Sequence, residues 1–156
     1  MTSLMNWRNK YSPIKQTYLD DVDRVLAGDV FQVQHLGYNK ISGNAECTVR
    51  EILSRYSVKR GQMASNQELI IDAMFTALYQ NSPDQQLVLF NFPLSSIKNV
   101  IHRKRDKHYG DYCVLIVRDD VECGEGVHVM SCDSPDETSR IIQSFQVAFN
   151  VGKNIK

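Results

Sequence analysis

The stretch VHVMSCDSPDETSRIIQSFQVAFNV, residues 127–151, decides the fold. Residues 127–132 are rich in β-branched and apolar types and read as a strand, and a helix with its own start signal follows. Ser134 caps, Pro135 takes the first helical position, and Glu137 completes a Ser-x-x-Glu capping box. Ile141, Phe145 and Phe149 then recur every four residues beside Ile142 and Ala148, so the spacing predicts an amphipathic helix to about Val151. A helix with one apolar stripe at the end of a chain needs a sheet to cover.

Upstream of that helix, strands are predicted at residues 112–118, 97–102, 87–91, 77–80 and 69–75. Turn chemistry separates them: Asn81-Ser82-Pro83-Asp84, the break at Phe92-Pro93-Leu94, the polar residues 105–111 with their glycine, and the two glycines of residues 122–126. Connections this short favour an antiparallel meander, because a parallel crossover takes about a dozen residues or more. Nearer the N-terminus, Val30-Phe31-Gln32-Val33-Gln34-His35-Leu36 reads as the first strand, with Phe31, Val33 and His35 on one side and Gly37 ending or bending it. Between it and the later strands, Val49, Ile52, Leu53 and Tyr56 fall at i, i+3, i+4 and i+7, which predicts a helix over residues 46–56, followed by a polar loop over residues 57–67. A short helix at about residues 18–27 is predicted from the Thr17 and Asp20 capping pattern to the stop at Gly28.

The expected fold class is therefore α+β, with seven antiparallel strands, a C-terminal helix, a helix between strands 1 and 2, and a short N-terminal helix. Residues 1–28 form an N-terminal extension and residues 29–152 the domain. At 156 residues with 42% apolar side chains the chain can bury a core without disulfide or metal staples. Lys+Arg and Asp+Glu number 18 each, and this zero balance argues against a dedicated nucleic-acid binder, which needs excess cations to displace phosphate counterions. Cys47, Cys113, Cys123 and Cys132 are widely and irregularly spaced, as reduced thiols in a cytoplasmic protein would be. No stretch approaches the ~18 consecutive apolar residues of a membrane span, so any membrane contact is expected to be peripheral.

Three places along the chain resemble the phosphotyrosine-binding (PTB) domain family of adaptors such as Shc, Numb and Disabled. Residues 30–37 (VFQVQHLG) are similar to its first strand ending in a Tyr-Leu-Gly-type motif, with His35 where Tyr is usual. Phe92-Pro93-Leu94-Ser95-Ser96-Ile97 resembles its His-Pro-Leu-x-x-Ile entry to the fifth strand. Residues 127–132 followed by Ile141-Ile142-Gln143-Ser144-Phe145 resemble its Cys-His-x-Phe strand and Ile-Gly-Gln-Ala-Phe helix. The resemblance covers about residues 30–150. It implies the pleckstrin-homology-like (PH-like) superfold: a β-sandwich of two near-orthogonal sheets capped by the C-terminal helix.

The resemblance also implies a function without catalysis or cofactor. Such domains bind an extended peptide of a partner's cytoplasmic tail, often Asn-Pro-x-Tyr, as an added strand beside the fifth strand and against the C-terminal helix. Here the edge would be Ile97, Lys98, Asn99, Val100, Ile101 and His102, and the helix face Ile141, Phe145 and Phe149. On that reading Phe145→Ala keeps its fold and loses peptide binding; the alternative for Phe145 is an ordinary core phenylalanine. The Shc-like pattern sets an Arg for phosphate three residues before the His of its Cys-His-x-Phe strand, and the residue three before His128 is Glu125. Residues 119–137 hold seven acidic residues and no Lys or Arg, so recognition independent of phosphorylation is expected.

A second reading comes from residues 102–108, where Arg103, Lys104, Arg105 and Lys107 outnumber the one acid, Asp106. As the turn leaving the fifth strand they would bind phosphoinositide or another anionic membrane headgroup, or simply form a solvated hairpin tip. Cys123, His128 and Cys132 raise a zinc or thiol site, but their spacing lacks a close Cys-x-x-Cys pair and strand packing accounts for them. Asp119 and Asp120 read as turn residues, and no phosphate loop, dinucleotide glycine motif or His-Glu-x-x-His is present.

Overall fold

The computed structural model describes residues 13–58, 67–106, 110–118, 124–132 and 134–155. Its elements are α1 (Pro13–Ala27), β1 (Asp29–Lys40), α2 (Ala45–Val58), β2 (Gln67–Ile71), β3 (Phe75–Asn81), β4 (Gln86–Pro93), β5 (Ile97–Asp106), β6 (Gly110–Arg118), β7 (Glu125–Ser131) and α3 (Pro135–Ile155). A 3-10 turn, Leu94–Ser96, links β4 to β5. The seven strands run in the order β4-β3-β2-β1-β7-β6-β5, every neighbouring pair antiparallel. This is the α+β architecture expected from the sequence, with α2 between the first two strands and α3 closing the chain.

β1 belongs to two ladders. Its first half pairs with β2, from Asp29 opposite Ile71 to Val33 opposite Gln67, and its second half pairs with β7, with a register shift between His35 and Gly37. The strand thus continues through Gly37 to Lys40, beyond the predicted end. Gly37 (φ +155) allows the bend, and a Cβ on it would come within 2.8 Å of Ile52 Cγ2, so α2 can lie against the strand only where a side chain is missing.

The main core sits between the two halves and α3. Phe31, Val33, Leu69, Ile71, Leu78 and Phe90 meet Cys113, Leu115, Met130 and the helix residues Ile141, Phe145 and Ala148. On the other side of β6 and β7, α2 lays Val49, Ile52 and Leu53 against Val114, Val127 and Val129. Covered on both faces, β7 is buried at five successive positions instead of alternating. α1 joins the same body. Val25 is fully buried, Asp21 accepts from Arg24 and from Gln143 Nε2 at 3.0 Å, and Ser144 donates to Asp29 at 3.0 Å.

Several boundaries differ from the predicted ones for local reasons. α1 starts at Pro13, so Thr17 lies inside the helix and is no cap; Pro13 itself suits a first helical position. α2 runs two residues past the predicted end and is capped by Asn44, whose Oδ1 accepts from Cys47 N at 2.9 Å. Gln67, placed in the loop by composition, is a buried β2 residue. The predicted strand over residues 69–75 is instead the end of β2, a turn and the start of β3. Asp72 makes the reversal: its Oδ1 accepts from Met74 N at 2.6 Å and Phe75 N at 3.3 Å, while its N–H donates to Phe75 O at 3.0 Å. Asp72→Ala is expected to lower stability by about 1 kcal/mol, read from the urea midpoint. An unchanged midpoint would mean that the backbone turns there unaided.

Candidate functional site

The sheet has two terminal strands, β5 and β4, and they differ in chemistry. β5 spans ten residues, Ile97–Asp106, and so runs into the basic block that the sequence suggested was a turn. Charged side chains on a terminal strand can reach solvent, so a basic composition does not stop it. Ile97 is buried and Val100 half-buried, both against the main core, while Ile101 packs on the α2 side. Lys98 and Asn99 are exposed.

Most polar groups of β5 already have partners. Lys98 Nζ reaches Glu125 Oε1 at 3.1 Å, across β6. His102 Nε2 meets Asp111 Oδ2 at 2.7 Å, and Arg103 pairs with Glu46 at the start of α2. Lys104 is exposed; Arg105 lies on β5, and the structure describes nothing of its side chain. Lys107 lies outside the described residues, as do Asp119, Asp120 and Cys123. The basic residues that a single anionic headgroup would need are therefore spread along a strand, with Arg103 turned to α2.

α3 begins as the sequence predicts. Ser134 Oγ accepts from Glu137 N at 3.2 Å, and the helix continues to Ile155, past the predicted end near Val151. Its apolar residues divide into two groups. Ile141 and Phe145 are fully buried core residues, so the core alternative holds for both. Ile142 and Phe149 are half-buried against the same cluster. At about 100° per residue a four-residue repeat drifts by about 40° per step, which carries Phe149 to the flank occupied by Ile142. The accessible apolar wall is thus Ile142 and Phe149. Reading the drift off the repeat would have pointed to Ile142.

Behind β4, beside Phe90, lies a pair of histidines, one from β1 and one from β7. His35 Nε2 lies 3.0 Å from His128 Nδ1, and the two rings are packed by Phe90 and Tyr38. Burial holds His35 down to about 4 and His128, with His35 beside it, to about 3. Both rings are neutral at pH 7, one nitrogen donating and the other accepting. Cys47, Cys113 and Cys132 are free thiols, and burial, with Cys132 nearby, raises Cys113 far above its usual range. Among the described residues no group of three or more His, Cys, Asp or Glu side chains could hold a metal ion, and no helix is long and apolar enough to cross a membrane.

No protein-family model matches the chain, and no curated protein sequence does. Among solved structures, it is similar to the Slm1-PH domain, determined in complex with D-myo-inositol-4-phosphate. The two share 12% sequence identity at a TM-score of 0.41, over 53% of this chain and 77% of that one. The strand order and the terminal helix are those of the α+β architecture expected from the sequence.

Proposed function

We propose that the domain is a non-catalytic, PTB-type adaptor module that takes an extended peptide from a partner's cytoplasmic tail, Asn-Pro-x-Tyr or a variant, as an added strand along β5. The observation that carries this reading is that β5, ten residues long and terminal in the sheet, pairs with β6 alone among the described strands. Such a ladder is a template for one more strand: backbone groups give affinity, and pockets for alternate side chains give specificity. Ile142 and Phe149 supply the apolar wall, and Lys98 and Asn99 contribute through their backbone.

Phosphate on the tyrosine is not required. A phosphotyrosine carries about −1.5 to −2 charges and calls for bidentate Arg donors. Lys98 and Arg103 each already answer a carboxylate, Glu125 and Glu46.

The test is an array of Asn-Pro-x-Tyr peptides, phosphorylated and not, followed by amide shift mapping with the best binder. The expected result is binding to the unphosphorylated set, with shifts concentrated on residues 97–106 and affinity reduced about tenfold in Phe149→Ala. Binding to the phosphorylated set alone would remove the phosphate-independent reading. Binding to phosphoinositide vesicles in place of any peptide, lost in Lys104→Glu, would replace the adaptor by a membrane-surface module.

A further inference from the structure

The opposite edge of the sheet is where the chain exposes its apolar surface. Leu87, Val88 and Leu89, three consecutive residues of β4, are 47%, 57% and 37% exposed. Three apolar residues in a row facing water are unusual unless something covers them. They do not stand alone. Val88 lies opposite Tyr79, and Val30 on β1 is 48% exposed, while Ala77 on β3 between them is fully buried. Leu26 and Met74 are also exposed at 54% and 62%. Among the described residues, α2 packs on the outer side of β6 and β7 and not on β4.

Charge separates the two edges further. Residues 61–97 contain no Lys or Arg, and residues 85–97 contain no charged side chain of either sign. Terminal strands are commonly protected by lysines, as β5 is by Lys98 and Lys104. β4 has no such protection; its bulge at Leu89, between Val88 opposite Tyr79 and Phe90 opposite Leu78, is the feature that interrupts its ladder.

We infer that β4 is a self-association edge, on which a second copy of this chain pairs its own β4 antiparallel, extending the two sheets into one. In a two-fold pairing each residue of the strand meets a residue of the same strand, so a charged strand opposes like charges. β4 passes this requirement in every register, because nothing between Gln86 and Pro93 is charged. β5 fails it in a register centred on Ile101, for example, where Lys98 would oppose Lys104 of the second copy. An anionic lipid surface is a poor occupant for a face without a cation. Pro93, which lacks an N–H, ends the shared ladder, and the bulge keeps it short, so the dimer is a weak, concentration-dependent one.

Sedimentation equilibrium over a concentration series tests this on the full chain. The apparent mass is expected to rise from 17.9 kDa toward twice that value with increasing concentration. Val88→Lys should hold it at the monomer over the same range, with circular dichroism and melting temperature unchanged. Leu87→Lys, also at an exposed position, should do the same and guards against a folding defect in the first variant. Lys104→Glu, on the other edge, should leave the association intact. A wild-type chain monomeric at every concentration would overturn the inference, as would a Val88→Lys chain that associates like wild type or an association abolished by Lys104→Glu. A monomer that binds phosphatidylcholine vesicles through Val88 would assign the face to lipid and equally end the self-pairing.

Discussion

Phe145→Ala is expected to destabilise the domain by about 3–5 kcal/mol, the range for truncating a fully buried phenylalanine. Phe145 has no exposed surface, stacks against Phe149 with ring centroids 6.2 Å apart, and lies in the cluster that joins both halves of the sheet to α3. The surrounding strands cannot collapse into the gap without shifting ladders, so most of the cavity cost should persist. Against a typical total of roughly 5–15 kcal/mol, such a loss leaves the folded state marginal. Urea unfolding should show the midpoint falling sharply while the slope is kept. A change below about 1 kcal/mol would mean that the ring is not in the core. Any loss of peptide binding in this variant would therefore report unfolding, which is why Phe149→Ala, at a half-exposed position, is the variant that probes the groove.

Acid should weaken the domain from about pH 7 downward. His35 and His128 are held near 4 and 3 in the folded chain, against an ordinary 6.5, because burial penalises their charged forms. The unfolded chain therefore binds more protons than the folded one between about pH 7 and pH 3, and stability falls as pH falls through that window. The contribution is complete above about pH 7 and amounts to an order of a few kcal/mol for the coupled pair. Midpoints measured from pH 7.5 down to pH 4.5 should decline steadily, and replacing both histidines by glutamine should flatten that part of the profile. A profile as steep in the double variant as in wild type would place the acid sensitivity elsewhere.

What could be read from the sequence depended on whether the decisive interaction is local. The start of α3 was legible because Ser134, Pro135 and Glu137 act within one turn. The reversal at Asp72 was not: a single Asx side chain, without Gly or Pro, turns the chain inside an apolar run, so the sequence puts the break after Phe75 and not at Asp72. The extent of β5 was hidden because its basic residues resemble a turn, yet Arg103 and Glu46 meet across 57 positions of sequence. The same distance problem affected Ile141 and Phe145. Their spacing gives a stripe, and only the packing of α3 on the sheet decides that these two face inward while Ile142 and Phe149 remain at the surface. The exposure of Leu87, Val88 and Leu89 was beyond reach for another reason: alternation shows which residues share a side, not what packs against it.

The strand that bends at Gly37 ties these features into one unit. Because β1 is a member of both ladders, neither half of the sheet can come apart without tearing hydrogen bonds from a strand that the other half still holds. The domain should consequently melt as a single cooperative block, and a disturbance entering at one margin of the sheet has a continuous backbone route to the other.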